Sequence, residues 1–127
     1  MNKVSITHLS NAHNDWLRAL DFYKQEIKIL KKRLTEIAGK NSHRDVLKQV
    51  DHFENQFMIQ ANNINKLSHE IKANITSIGK EARSSSAGYI DGELLEMHKS
   101  VGQKFEAEEM TVNEIRHSFN QFSAQWI

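Results

Sequence analysis

The sequence predicts an all-α fold, an antiparallel up-down-up bundle of three long helices with a heptad-like core. Three observations carry that expectation. Proline is absent from all 127 residues, where average usage near 5% would supply about six, and long uninterrupted helices account for its absence. Apolar residues recur in alternating steps of three and four through three separate stretches, the period of a helix with one buried face. Breaks rich in glycine and serine separate those stretches, near Gly39 and over residues 84–88.

The first helix is expected over about residues 5–38. Its stripe reads Ile6, Leu9, His13, Trp16, Leu20, Tyr23, Ile27, Leu30, Leu34 and Ile37, with His13 the one polar member. Gly39 follows the last apolar position, where a left-handed cap commonly ends a helix. The second helix is expected over about 43–82, after Asn41 and Ser42 as N-cap candidates. Its stripe is Val46, Val50, Phe53, Phe57, Gln60, Ile64, Leu67, Ile71, Asn74 and Ile78, and Gly79 offers a stop. The third, over about 90–126 from Ile90 or Asp91, reads Leu94, Met97, Val101, Phe105, Glu108, Val112, Ile115, Phe119, Phe122 and Trp126. Two successive four-residue steps around Val101 form a stutter with Gly102 inside it, so a local bend is expected there. Helices of this length joined by short connections must run antiparallel to their sequence neighbours, which makes residues 1–127 a single domain.

Composition limits the chemistry. With no cysteine there is no disulfide, thiolate metal site or cysteine nucleophile. A formal charge of +1 from 17 bases and 16 acids gives no global pull toward nucleic acid or anionic lipid. Eight bases (Lys24, Lys28, Lys31, Lys32, Arg33, Lys40, Arg44 and Lys48) face only Glu26, Glu36 and Asp45 in that segment. Without interleaved aromatics or a groove-reading motif they read as a solvated face rather than a nucleic-acid site. No run approaches the roughly 20 apolar residues of a membrane span and the first residues do not form a signal peptide, so a cytoplasmic location is expected.

Folding about the two turns sets residue i of the first helix opposite 82 minus i of the second, and j of the second opposite 172 minus j of the third. Those levels bring Tyr23, Gln60 and Glu108 inward together, as a polar layer fixing register or a small polar pocket. They offer no metal site. The Glu114 to His117 pair has the Glu-x-x-His spacing of carboxylate-bridged bundles but falls on outward positions without a partner pair, and His13 alone lies clearly in core phase. His8 and His98 approach the level of Asn74 from an outward and a flanking position. No nucleophile elbow, phosphate-binding glycine loop or Ser/His/Asp set is present. Phe22, Ile29, Met58, Ile59 and Met110 lie off the stripes, where a three-helix core does not need them, and form the candidate interface.

The stretch Trp16 to Lys40, WLRALDFYKQEIKILKKRLTEIAGK, continuing into VDHFENQFMIQ at Val50 to Gln60, resembles small all-helical proteins of uncharacterised function from Bacteroidota bacteria. The resemblance spans the first two helices, implies a bacterial cytoplasmic protein and carries no residue role. The expected function is therefore a non-enzymatic helical scaffold or interaction module, self-associating or binding another helical protein, without cofactor, metal, membrane or nucleic acid. A small-ligand or metal-binding bundle that uses the interior polar residues is the alternative.

Overall fold

The computed structural model describes residues 6–84 and 92–126, except the side chains of Ile6, Ala82 and Ser84. Three helices account for nearly all of these: α1 (Ile6–Lys40), α2 (Arg44–Ser84) and α3 (Gly92–Trp126). Each packs on both of the others, so the stripes close on one shared interior rather than lining a single extended coiled coil. Of the stripe positions described in α1 and α2, all are buried except Trp16, which is half-buried. The serine-rich connection and the expected start of the third helix at Ile90 or Asp91 lie outside the described residues.

The α1–α2 turn is tighter than the glycine signal implies. Gly39 does not take the left-handed conformation expected of it, and α1 continues to Lys40. Termination falls instead to Asn41, whose side-chain amide donates to the Ile37 carbonyl at 2.8 Å and so satisfies one of the acceptors a helix leaves open at its end. Asn41 thus closes α1 instead of opening α2. The N-cap is His43, one residue beyond the expected pair: its Nδ1 accepts the Asp45 amide at 3.2 Å, and its carbonyl takes the first helical bond from Leu47 at 3.1 Å. Gly79 is likewise passed over, and α2 runs on to Ser84.

Helix α3 corrects the expected phase at its beginning. Leu95 is buried and Leu94 half-buried, while Met97, expected inside, is 43% exposed. The inward positions are therefore Leu95, His98 and Val101, two steps of three, before the regular alternation resumes at Phe105. Across the stutter α3 stays α-helical, and Gly102 serves a close approach: a Cβ there would lie 3.0 and 3.1 Å from Cη2 and Cζ2 of Trp16.

The interior has two apolar parts. The larger runs from Leu20 and Val101 to the α1–α2 turn and holds the phenylalanine cluster Phe53, Phe57, Phe119 and Phe122, with Phe53 5.4 Å from Phe119 and 5.2 Å from Phe122 between ring centres. The smaller contains Leu9, Ile78 and Leu95, with Leu94 against it. Contacts from α1 to α3 keep a nearly constant sequence separation, 85 for His13–His98 and 86 for Tyr23–Glu109. A constant difference requires parallel helices, as up-down-up topology demands of the first and third.

Candidate functional site

Between the two apolar parts lies a polar layer contributed by all three helices. His13 on α1 and Asn74 on α2 are each 1% exposed, and His13 Nε2 meets Asn74 Oδ1 at 2.8 Å. From α3, His98 brings Nδ1 to within 3.3 Å of the same Nε2. Trp16, one turn beyond His13, meets the His13 ring edge-on at 5.5 Å and stacks on His98 at 4.9 Å. Its other side faces Phe105 at 6.0 Å. Burial disfavours charge on either imidazole. It lowers the His13 pKa against hydrogen bonds to Asn74 and the Leu9 backbone that would raise it. His98 is brought down to about 4, first by burial and then by the neighbouring His13 and His8.

Core phase in the sequence accounts for every member of this layer except His98. His13 and Asn74 stand in core phase, but His98 was assigned to a flank because Met97 beside it is the more apolar choice. The level sum already brings His98 to Asn74; the signal left unread is Gly102, one turn later, which makes room for an indole.

The expected cluster of Tyr23, Gln60 and Glu108 is divided in two. All three are buried, with Glu108 at 9% exposure. With its amide nitrogen turned toward the carboxylate, Gln60 lies 3.1 Å from Glu108 Oε1 and 2.6 Å from Oε2; against the protonated acid the opposite face of the amide would accept. Burial raises the Glu108 pKa to about 7, so both forms are accessible near neutrality. Tyr23 instead donates its phenol to Glu109 Oε2 at 2.6 Å. Burial, then Glu109, raises the Tyr23 pKa. A tyrosine pointing inward at its Cβ still carries its hydroxyl past the core to the rim, and Glu109 is the carboxylate on that rim.

The candidate interface residues are all exposed: Phe22 53%, Ile29 49%, Met58 55%, Ile59 45% and Met110 65%. They are spread over all three helices. Met58 and Ile59 are adjacent and so point about 100° apart around α2. Phe22 and Ile29, seven residues apart, share one stripe of α1. Arg116 of α3 lies over the Phe22 ring at 5.8 Å from its centre and reaches Glu26, between them on that stripe, at 3.7 Å.

The concavities among the described residues are open grooves along the helix seams, such as one of about 300 Å³ between Leu17, Lys24 and Ser68. A more enclosed hollow at Phe57, Gln60 and Val112 has no room for a water. Interhelical charge pairing sets bases of α3 on acids of the other helices, Arg116 on Glu26 and Lys104 on Glu70 at 2.8 Å. No described helix is long and apolar enough to cross a membrane. In comparisons with known proteins, no family model, no curated protein and no solved structure matches this chain.

Proposed function

We propose that the protein is a non-enzymatic helical scaffold that self-associates through the α1 stripe of Phe22, Glu26 and Ile29. The observation that carries this reading is the exposure of two large apolar side chains on one stripe, at positions its own core leaves unused. The charge between them is already paired with Arg116, so covering the stripe strands no lone carboxylate; an uncompensated buried charge is what makes such surfaces costly to bury. An apolar residue at each end of the stripe suits a two-fold arrangement, in which Phe22 of one copy meets Ile29 of the other. Met58, Ile59 and Met110, exposed on α2 and α3, remain for a second helical protein. Such a scaffold would work in the bacterial cytoplasm, the setting the sequence resemblance implies.

Light scattering on the size-separated protein tests the reading. A dimer is expected for the natural chain and a monomer for Phe22→Glu, with circular dichroism unchanged. A natural chain that stays monomeric at high micromolar concentration would refute self-association.

A further inference from the structure

We propose that the contact between His13 and His98 is an acid-sensitive latch: when both rings are charged it breaks, and the helix ends that meet at Leu9, Ile78 and Leu95 open while the larger core stays folded. The latch is separate from the α1 stripe, and the proposal stands whether or not the chain self-associates.

His98 Nδ1 stands 3.3 Å from His13 Nε2. A neutral imidazole has one N–H and one bare nitrogen, and a charged one has two N–H groups. While either ring is neutral, one of the facing nitrogens can donate to the other, whichever ring supplies the hydrogen. Once both are charged, each facing nitrogen carries a hydrogen, no lone pair remains between them, and two cations stand at contact distance. This holds for every starting tautomer. Asn74 Oδ1, 2.8 Å from His13 Nε2, can take the hydrogen of that ring but leaves the repulsion as it is.

The surroundings do little to offset such charge. The groups that act on the rings are each other, His8 of α1 and the uncharged Asn74 of α2. Two flanking carboxylates are held by lysines: Glu96 on α3 lies 3.8 Å from Lys99, and Glu70, one turn before Asn74 on α2, lies 2.8 Å from Lys104. His13 is 1% exposed, so water does not reach its charge, whereas the half-buried His98 gives protons a way in. Burial accordingly holds both rings below the ordinary 6.5, His98 at about 4. A depressed folded value means that the stabilisation is present at neutral pH and is lost as pH falls from 6.5 toward 4.

The fold yields on one side of the layer. Leu9 precedes His13 by one turn on α1, Leu95 precedes His98 by one turn on α3, and Ile78 follows Asn74 by one turn on α2, so the smaller cluster lies directly beyond the layer. Rings that separate in the layer separate the helices there. On the other side Trp16, stacked on His98 at 4.9 Å, packs against the larger core, which has many more buried side chains to hold it. Acid would therefore bare the apolar side chains of one end in a chain that is otherwise folded.

Amide exchange at pH 7 and pH 5, corrected for the intrinsic rates, tests the latch. In the natural chain the opening constant of residues 6–12, 75–84 and 92–97 is expected to rise at least about tenfold between the two, with 46–64 and 112–122 still the more strongly protected at pH 5. In His98→Gln, where an amide oxygen can accept from a charged His13, the rise should be at most a third as large. Imidazole NMR signals give a readout that needs no variant to fold: His13 and His98 of the natural chain should become charged in the same step in which the end amides lose protection. An equal rise in the two proteins would overturn the proposal. So would two charged rings beneath end amides that stay protected, or loss of ends and core together.

Discussion

Glu108 shows how one buried carboxyl makes the stability of this bundle depend on pH. Its folded pKa of about 7 stands above the ordinary 4.5, so the fold favours the protonated form. The stabilisation is complete below about pH 4.5 and is lost as pH rises through 7. Each pKa unit corresponds to about 1.4 kcal/mol, and screening reduces the effect to about 2 kcal/mol, since Glu108 also lines an open groove between α2 and α3 with Leu67 and Thr111. Glu108→Gln keeps the shape and a partner for Gln60 but has no charge to bury. Urea unfolding at pH 5 and pH 8 should find the natural chain losing about 2 kcal/mol relative to Glu108→Gln over that interval, and equal slopes for the two proteins would contradict it. Comparing the pair cancels His13 and His98, whose lowered pKa values act in the opposite direction. The burial of Glu108 was legible in the heptad phase. Its pairing with Gln60 alone was not, because phase gives the direction of a Cβ and says nothing of how far a tyrosine reaches.

At the scale of the helix, the start of α3 shows where sequence periodicity loses its hold. Leu94, Leu95 and Met97 are all apolar, so either phase fits a buried stripe, and the choice falls to partners distant in the chain. His13 and Asn74 sit across from His98, and Trp16 takes the space beside Gly102. A helix pays about 1 kcal/mol for glycine over alanine, and here the cost admits an indole. In Gly102→Ala the new methyl would meet Trp16 at 3.0 Å, and Trp16 cannot retreat while it lies between His98 and Phe105. A net loss of about 1 kcal/mol is expected by chemical denaturation, since overpacking outweighs the gain in propensity. With Trp16→Leu as background the same alanine should instead stabilise by up to about 1 kcal/mol. The same sign in both backgrounds would mean that Gly102 is not there for the indole. The α1–α2 turn teaches a similar lesson. Asn and Ser before a helix are good N-caps in general, but whether Asn41 closes α1 or opens α2 depends on reach to the Ile37 carbonyl, and His43 is a cap that propensity ranks low.

At the scale of the whole molecule, the polar layer divides the bundle into unequal halves. On one side the continuous core includes five phenylalanines and most of the buried aliphatic residues. On the other, Leu9, Ile78 and Leu95 form a separate cluster with Leu94, cut off by His13, Asn74 and His98. Burying one large aliphatic side chain contributes about 1.5–3 kcal/mol, whereas fixing each backbone residue costs about 1–2 kcal/mol. So small a cluster cannot by itself order the three helix ends around it, which must lean on the layer beneath. Local opening in proteins follows such boundaries. Amide exchange should therefore rank residues 6–12, 75–84 and 92–97 as one weakly protected group that opens together well below the global unfolding free energy, with 20–37, 46–64 and 112–122 protected to near the global value. The three end segments are expected to exchange together, because among the described residues Leu9, Ile78 and Leu95 of the three ends pack on one another. Uniform protection along all three helices would mean that the layer joins the two halves into one cooperative unit, its hydrogen bonds and stacked rings carrying as much coupling as an apolar core of the same length.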